Sequence, residues 1–419
     1  MRNWLARNIK GDKVTWAIIL IFTLFSFLAV YSASTNLVYV IGKGTTFGHF
    51  LRHGLIVFIG FVIIYVIHKV PYRFSRPVSK LGLFLSALFL IFAALKGTTI
   101  EGANASRWIQ VPFVGISFQP STFALVMLMT YVASYLAENY GKKPTFSESF
   151  LPLWLPVAII LGLIVPSNLS TAVLGAGSVG ILTFIGRHPL KNIFTALSIG
   201  IALMAIFILT VKAFPDNFKN TRVSTWVSRI ESFTAGEDEK EGYQIERAKM
   251  AIAKGGLMGE GAGKSTMKNF LPQSSSDFIY AIITEEYGSF GALVIMALYV
   301  LLLLRIVIIS QNARTIFGQL LVLGVGFPII LQALINMGVA VELFPVTGQN
   351  LPLISSGGTS IWMTCLALGL ILSVSTSKRN NKQQAMEKDK NLAEVEEELA
   401  EEIMEEIQKA EKKKIGKIV

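Results

Sequence analysis

Residues 14–31 read VTWAIILIFTLFSFLAVY, a stretch of eighteen residues that carries no charged side chain. As a helix it is about 27 Å long, close to the roughly 30 Å of hydrocarbon in a bilayer. In lipid only a helix satisfies the backbone of a single open segment. Nine further apolar stretches follow, so the sequence predicts an all-α polytopic membrane protein with about ten transmembrane helices. The ten predicted spans are Val14–Tyr31, Leu51–Ile67, Leu81–Leu95, Ser121–Leu136, Leu151–Pro166, Ser170–Ile185, Ile193–Phe214, Asp277–Ile309, Ile316–Val341 and Thr359–Ser375.

Composition agrees with this pattern. The chain has 419 residues, of which 52% are hydrophobic and 16% charged, whereas soluble domains carry about 25% charged residues. The single cysteine, Cys365, falls in an apolar stretch, so the sequence contains no disulfide framework.

Lysine and arginine alternate between the two sides of the predicted bundle. They concentrate in the N-terminal segment, in or beside every second segment between spans, and at the start of the tail: Lys69, Arg73, Arg76, Lys80, Lys142, Lys143, Arg187, Lys191, Arg305, Arg314, Lys378, Arg379 and Lys382. Because basic segments stay in the cytoplasm, both termini are predicted to be cytoplasmic. The net charge of +11 therefore reports topology and does not indicate nucleic-acid binding.

The same topology divides the chain into three parts. Residues 1–13 form a cytoplasmic N-terminus, and residues 14–377 form the transmembrane domain. Within that domain, residues 215–276 form a large extracytoplasmic loop between the seventh and eighth spans. Residues 378–419 form a charged cytoplasmic tail, helical or partly disordered, for which a helix that docks a partner is the alternative.

The first polar segment on the outer side, Lys96–Pro120, contains Arg107-Trp108 and then Gln119-Pro120-Ser121. An arginine beside an aromatic ring can bind a phosphate. It can equally serve as an anchor at the membrane interface, and the dipeptide alone leaves both interpretations open.

The large outer loop ends in a glycine-rich segment that also carries Lys264 and Lys268 and leads to Asp277. Glycines let backbone N–H groups approach an anion closely, and lysines neutralise one. Asp277 stands where the polar loop meets an apolar span, so partial desolvation makes it a better proton acceptor. The alternative role for an aspartate at this position is a helix N-cap. Gly259–Thr266 resembles a phosphate-binding P-loop, but Met258 occupies the position of its first glycine, and the segment faces outward.

Two further features are predicted to be functional. Glu285 and Glu286 lie inside an apolar span, where carboxylates are costly and are usually functional or paired; solvation near the interface is the alternative. The last outer segment, 336–360, is rich in proline and glycine and predicts irregular backbone that lines a polar cavity.

In order and spacing, these segments resemble the SEDS family (shape, elongation, division and sporulation proteins) over about Thr15–Ser377. The Leu351–Ser355 segment and the tail favour the division branch over the elongation branch. The motifs that carry the resemblance are Val30–Ser34, Ala105–Ile109, Gln119–Ser121, Leu169 with Thr171-Ala172, Tyr243-Gln244, Gly255–Gly263, Leu271-Pro272, Asp277-Phe278, Glu285-Glu286, Pro345–Gly348 and Leu351–Gly358.

The resemblance implies a glycosyltransferase that polymerises lipid II, an undecaprenyl-pyrophosphate-linked disaccharide peptide, into peptidoglycan during cell division. It implies that this takes place at the outer face of the bacterial cytoplasmic membrane. It implies that Asp277 is the catalytic carboxylate, with Arg107, Lys264 and Lys268 as candidates for stabilising the diphosphate. It also implies substrate contacts at Trp108, Gln119, Ser121, Tyr243, Gln244, Glu285, Glu286, Ser355 and Gly357.

Partners implied by the resemblance are a class B penicillin-binding transpeptidase, other divisome proteins and membrane lipid, with no nucleic acid. No metal site is predicted from the residues, although a divalent cation, Mg or Mn, is expected to suit a diphosphate. Two other functions stay open, a lipid II flippase and a non-catalytic divisome scaffold. The chain departs from the family pattern at several positions that the family usually fills with charged residues: Thr122, Leu125, Asn168, Gln273 and Ser275.

Overall fold

The computed structural model describes residues 9–39, 45–97, 108–111, 116–213 and 239–377. Arg107, residues 214–238 of the outer loop and the termini 1–8 and 378–419 lie outside the described residues, so what was predicted for them stays a prediction. The elements run in the order α1 (Lys13–Tyr39), α2 (Thr46–Ile67), α3 (Ser75–Lys96), β1 (Ile109–Val111), β2 (Ile116–Phe118), α4 (Pro120–Glu138), α5 (Phe146–Ser149), α6 (Leu155–Ile164), α7 (Leu169–Ile185), α8 (Leu190–Ala213), α9 (Glu239–Gly255), α10 (Ile279–Gln311), α11 (Ile316–Ala340) and α12 (Thr359–Ser377).

The predicted spans all fall on apolar helices. Within the described ranges, nine helices are long and apolar enough to cross a membrane, one of them being Phe146–Ile164, in which a π-helical turn joins α5 to α6. The sixth predicted span corresponds to α7, which is apolar but has only 17 residues. The prediction of an all-α polytopic membrane protein is thus confirmed.

Three helices form the centre of the bundle. In α4, α11 and α12, 72% of the residues of the apolar window are buried, against none in α8. α11 packs against α4, α7 and α10, which places it at the middle of the largest hydrophobic core. The apolar side chains of α8 therefore face away from the helix bundle.

The long helix α10 is interrupted at Gly288, whose φ of 68° and ψ of −173° lie outside the helical region. A Cβ atom there would stand 2.2 Å from the carbonyl oxygen of Leu257, so only glycine fits. The backbone N–H of Ser289 donates to the carbonyl of Gly256 at 2.8 Å. The interruption is therefore the place where the glycine-rich segment docks onto α10.

The same docking explains other glycines of that segment. A Cβ atom at Gly255 would stand 2.0 Å from the carbonyl oxygen of Thr284, and one at Gly259 would stand 2.3 Å from that of Glu286. The sequence predicted that these glycines approach an anion, and at both positions the close neighbour is instead the backbone of α10.

Two short strands, absent from the sequence prediction, lie between α3 and α4. β1 and β2 pair in antiparallel fashion, with Ile109 opposite Phe118 and Gln110 opposite Ser117. The irregular backbone predicted for 336–360 is confirmed for the connection between α11 and α12, where Leu353 and Gly348 both have positive φ angles.

The part of the outer loop that the structure describes packs onto the helix bundle. Ala248 and Ala251 of α9 are completely buried, in a second apolar cluster with Leu271 and Phe278. Lys249 of the same helix forms an exposed ion pair with Glu342 after α11, with 2.5 Å between Nζ and Oε2. α9 thus fixes the segment that leads into α10.

At the other end of α10, Asp12 connects three helices. Its Oδ2 accepts hydrogen bonds from the backbone N–H and the hydroxyl of Thr15, at 2.9 and 2.8 Å, which caps α1. Arg305 of α10 donates from Nε to the same oxygen at 3.1 Å, and the Asp12 N–H donates to Ser375 of α12 at 2.9 Å. Burial raises the pKa of Asp12, but the hydrogen bonds from Arg305 and Thr15 outweigh it and hold the pKa below its usual value.

Candidate functional site

A cavity of about 1280 Å³ lies between α1, α2, α4, α7, α11 and α12, with the hairpin and the segment before α10 completing its wall. Of the residues predicted from the sequence, the ones that line it are Asp277, Trp108, Gln119, Tyr243 and Gly357. The structure therefore brings together residues from four separate segments of the chain.

Asp277 lies in a short irregular segment that hydrogen bonds hold in place. Its backbone N–H donates to the carbonyl of Gln273 at 3.1 Å, and Gln273 itself has a φ of 55°. Its own carbonyl accepts a hydrogen bond of 2.7 Å from Nδ2 of Asn336 on α11. The side chain is half-buried, and α10 begins two residues later with Phe278 at the N-cap position, where no side chain caps the helix. Asp277 thus stands one residue before the N-cap position of α10.

The Leu351–Gly358 segment supports the residues just before Asp277. Ser355 donates from Oγ to the carbonyl of Ser276 at 2.6 Å, and Ser356 donates from both its N–H and its hydroxyl to the carbonyl of Ser275 at 2.9 Å. Ser355 is almost fully buried at 1% exposure. The structure therefore places Ser355 against the main chain beside Asp277.

Two glycines line the cavity near this contact. A Cβ atom at Gly348, where φ is 65°, would stand 3.5 Å from Oδ2 of Asp277, and one at Gly357 would stand 2.6 Å from Nδ2 of Asn350. The positive φ of Gly348 favours glycine, and the lack of a side chain there leaves space beside the carboxylate.

Gln119 and Ser121 lie at the start of α4. The Gln119 N–H donates to the hydroxyl of Thr359 at 3.1 Å, and its Nε2 donates to Oγ of Ser121 at 3.0 Å. Gln119 is half-buried and lines the cavity, whereas Ser121 is buried and contributes through this bond.

Tyr243 and Gln244 are neighbours on α9. The Tyr243 ring lines the cavity and lies 4.8 Å from Cζ of Arg247 one turn later. Gln244 is half-buried and is not among the described lining residues.

The two predicted lysines take different positions. Lys268 is buried, and its Nζ donates to the carbonyl of Gly263 at 2.7 Å and to Oγ of Ser32 at 3.1 Å. Ser32 in turn donates to the carboxylate of Glu286. Lys264 is exposed. Neither lysine is among the described residues that line the cavity.

Glu285 is completely buried and organises the segment that follows the glycines. Its carboxylate accepts hydrogen bonds from the hydroxyl of Ser265 and from the backbone N–H of Thr266, at 3.0 Å in the second case, and of Met267, at 3.2 Å. Lys254 of α9 forms an ion pair with it at 3.5 Å. Glu285 and Glu286 are thus paired groups that fasten the outer loop to α10 and α1.

Sequence reasoning missed a basic group in the cavity wall. Arg52 of α2 lines the cavity with His49 and His53. Among the described lining residues, Arg52 is the one lysine or arginine and Asp277 the one carboxylate. The available signal was an arginine at the outer end of a span, on the side where basic residues are scarce. A carboxylate, which can accept a proton, and a guanidinium, which can bind an anion, therefore line the same cavity.

In the part of the chain that the structure describes, no group of three or more His, Cys, Asp or Glu side chains is placed to hold a metal ion. The divalent cation expected near a diphosphate stays a prediction.

The fold and the cavity define a polytopic membrane protein whose cavity is lined by both a carboxylate and a guanidinium. Residues 12–380 match the model of the FtsW/RodA/SpoVE family, described as cell cycle proteins, and the chain belongs to this family. This confirms the SEDS resemblance.

Relatives cover nearly the whole chain. It is similar to the probable peptidoglycan glycosyltransferase FtsW of Geobacter sulfurreducens, with 31% identity over 88% of this chain and 95% of the relative. The protein of the same name from Coxiella burnetii is 30% identical over 89% of this chain and 99% of the relative. The one from Enterococcus hirae is 30% identical over 89% and 96%.

Solved structures share the fold. A chain from a study of how a peptidoglycan synthase complex coordinates polymerization and crosslinking has a TM-score of 0.67 at 22% identity, covering 88% of this chain and 98% of that one. The rod shape-determining protein RodA of Thermus thermophilus has a TM-score of 0.62 at 20% identity, covering 90% and 99%.

Proposed function

We propose that this protein is a peptidoglycan glycosyltransferase that polymerises lipid II into glycan strands at the outer face of the cytoplasmic membrane, with Asp277 as general base. The relatives over most of the chain carry the name of this activity. The assignment of Asp277 as the general base rests on its position. It is the one carboxylate among the described cavity-lining residues, on a segment fixed by Asn336 and Ser355.

The chemistry requires one carboxylate. The 4-hydroxyl oxygen of an acceptor sugar attacks the anomeric carbon of the donor, forms the new C–O bond, and gives its proton to Asp277. The bond between that carbon and the lipid diphosphate breaks, and the diphosphate leaves with the electron pair. Because an α-linked donor gives a β-linked product, a single inverting displacement suffices. Cationic groups that hold the diphosphate stabilise the charge that develops as it leaves.

A role in cell division is part of the proposal. The similar relatives named above are called FtsW, and the Leu351–Ser355 segment resembles the division branch of the family. Cytoplasmic termini fit the alternation of basic segments along the chain. This topology puts the cavity, α9 and Asp277 on the outer side, where lipid II is expected to be used.

A transpeptidase partner is also proposed. One similar chain belongs to a complex that combines polymerization with crosslinking. We therefore expect this chain to act with a class B penicillin-binding transpeptidase and other divisome proteins.

The decisive experiment compares two activities of the same preparation. The purified protein, alone and with its transpeptidase, is given lipid II and scored for glycan polymer. In parallel, sealed vesicles are scored for movement of lipid II between leaflets. Polymer formation without leaflet exchange supports the proposal. Exchange without polymer would establish a flippase instead, and neither activity in the presence of the partner would establish a scaffold.

A further inference from the structure

The outer part of α1 carries the Val30–Ser34 motif, whose residues lie on two sides of the helix. Val30 and Ser34 line the cavity. Ser32 is two positions from each of them, which places it on the opposite side of the helix. It is buried at 3% exposure, and its hydroxyl faces the turn Met267–Asn269 and α10. Ser32 therefore contacts the outer loop and not the space where a substrate would lie.

The Ser32 hydroxyl joins a buried cation to a buried anion. Nζ of Lys268 donates to Oγ of Ser32 at 3.1 Å, and the Ser32 hydroxyl donates to the carboxylate of Glu286. Lys268 is 7% exposed and Glu286 is 2% exposed. A hydroxyl has one proton to donate and lone pairs that accept, so one serine serves both partners at once. Alanine at this position would take a shared partner from two buried charges, which is costly away from water.

Lys268 stands directly before one wall of the cavity. Every residue of 269–277 lines the cavity, and this stretch ends with Asp277. The carbonyl of Lys268 accepts a hydrogen bond of 3.3 Å from Oγ of Ser274, which ties its main chain to the wall. At the far end, Asn336 holds the carbonyl of Asp277. The wall is therefore anchored at both ends, and the upstream anchor depends on the contact between Lys268 and α1.

We propose that Ser32 is a positioning residue for the reaction, because it joins Lys268 to Glu286, fixes 269–277 and so sets the place of the Asp277 carboxylate. The effect on catalysis rests on the proposed function. A displacement of about 1 Å at a reacting group lowers a rate by about a hundredfold. Loss of the Ser32 hydroxyl should therefore reduce kcat more than it changes KM, since contacts to the substrate are spread over the other walls of the cavity.

The test uses the full chain in nanodiscs with the transpeptidase partner, after size-exclusion chromatography to select folded protein. The variants are Ser32→Ala, Ser32→Thr and Ser32→Cys. Thr23→Val is the matched control, because Thr23 is also buried on α1 and its hydroxyl donates to the carbonyl of Ile19 in the same helix at 2.8 Å. Lipid II polymerisation gives kcat and KM, and amide hydrogen exchange of 269–277 reports how firmly the wall is held.

Ser32→Ala is expected to lower kcat about tenfold to a hundredfold and to change KM less than about threefold. Ser32→Thr keeps the hydroxyl and should regain most of kcat. Ser32→Cys is a weaker donor and should lie between the two; it carries the same comparison if Ser32→Ala does not fold. In Ser32→Ala, exchange of 269–277 should be at least about fivefold faster, with exchange of α12 unchanged.

The control and the conservative variant separate positioning from a general loss of stability. Thr23→Val should keep the kcat and the exchange rates of the unaltered chain. The proposal would be overturned by a kcat in Ser32→Ala within about twofold of the unaltered chain, by an equal fall in Thr23→Val, by a fall that Ser32→Thr does not reverse, or by unchanged exchange of 269–277.

The exchange measurement needs no activity, so this proposal and the proposed function fail in different ways. If the unaltered chain polymerises lipid II and Ser32→Ala does so at the same rate, the positioning role is wrong and the proposed function stands. If exchange of 269–277 depends on the Ser32 hydroxyl but the unaltered chain makes no polymer with its partner, the anchoring of the wall stands and the proposed function is wrong.

Discussion

Replacing Asn336 with leucine tests how the fold positions Asp277. Asn336 is 1% exposed, and its Nδ2 donates to two carbonyl oxygens, those of Asp277 and Gln349, both at 2.7 Å. Leucine has a similar volume and no donor. Each buried carbonyl that loses its partner costs about 1–3 kcal/mol. Because Oδ1 of Asn336 has no hydrogen-bond partner among the described residues, its removal offsets part of the cost, and we expect a net loss of about 2–3 kcal/mol.

The expected effect on activity is larger than the effect on binding. Freed from α11, the Asp277 segment shifts, and a displacement of about 1 Å lowers a rate by about a hundredfold. We therefore expect Asn336→Leu to lower kcat for lipid II polymerisation at least about tenfold. KM should stay nearly constant, because Asn336 is not among the described residues that line the cavity.

The assay is lipid II polymerisation in nanodiscs with the transpeptidase partner, beside thermal unfolding followed by tryptophan fluorescence. Asn192→Leu is the matched control, because Asn192 is also buried and donates to a backbone carbonyl, that of Pro144 at 2.9 Å, away from the cavity. It should lose stability and keep kcat. A kcat within twofold of the unaltered chain in Asn336→Leu, or an equal fall in both variants, would refute the reasoning.

Three further substitutions test the supports of the fold. Glu285→Ala removes the carboxylate that accepts hydrogen bonds from residues 265–267. Because a buried charge network is then broken, limited proteolysis should cut this segment at least about tenfold faster than in the unaltered chain. Gly288→Ala forces a Cβ against the carbonyl of Leu257 and should lower the unfolding temperature or prevent assembly, as read by size-exclusion chromatography. Asp12→Asn should change the acid limb of unfolding, because the pKa of Asp12 is lowered by Arg305 and Thr15. The contribution of Asp12 to the free energy of unfolding is fully present above its ordinary pKa of 3.8. It is lost as the pH falls through the lower pKa of the folded state.

Each of these has an outcome that would contradict it. Unchanged cleavage in Glu285→Ala would mean that the segment is held elsewhere. Normal unfolding of Gly288→Ala would mean that α10 can adopt another path. Parallel pH profiles for Asp12→Asn and the unaltered chain, measured below pH 3.8, would show that the Arg305 contact does not stabilise the fold.

The helical fold was predictable because apolar length is a local property of the sequence. Asp277 was predictable for a similar reason, since it stands at the boundary between a polar loop and an apolar span. The docking of the glycine-rich segment was not, because the reason for Gly259 lies in the backbone of Glu286 on α10. From the sequence, these glycines could be interpreted only by what their own backbone allows, which is close approach to an anion.

The positions of the cationic side chains could not be predicted from local sequence. Lys268 stands nine residues before Asp277, yet its hydrogen bond reaches Ser32 on α1, which is remote in sequence. Arg52 looks like an ordinary flank of a span, and only the packing of α2 shows that it lines the cavity. Helix packing determines which charged side chains come close together in a membrane protein. The periodicity of apolar residues along the sequence does not predict that packing.

The central claim is that the carboxylate of Asp277 takes the proton of the attacking hydroxyl, and one substitution measures it. Asp277→Asn keeps the shape of the side chain and removes the basic group. In nanodiscs with the transpeptidase partner, we expect the variant to bind lipid II with unchanged affinity. The rate of glycan polymer formation should fall at least about a hundredfold, which is the contribution of a general base. Polymer formed at the rate of the unaltered chain would contradict it.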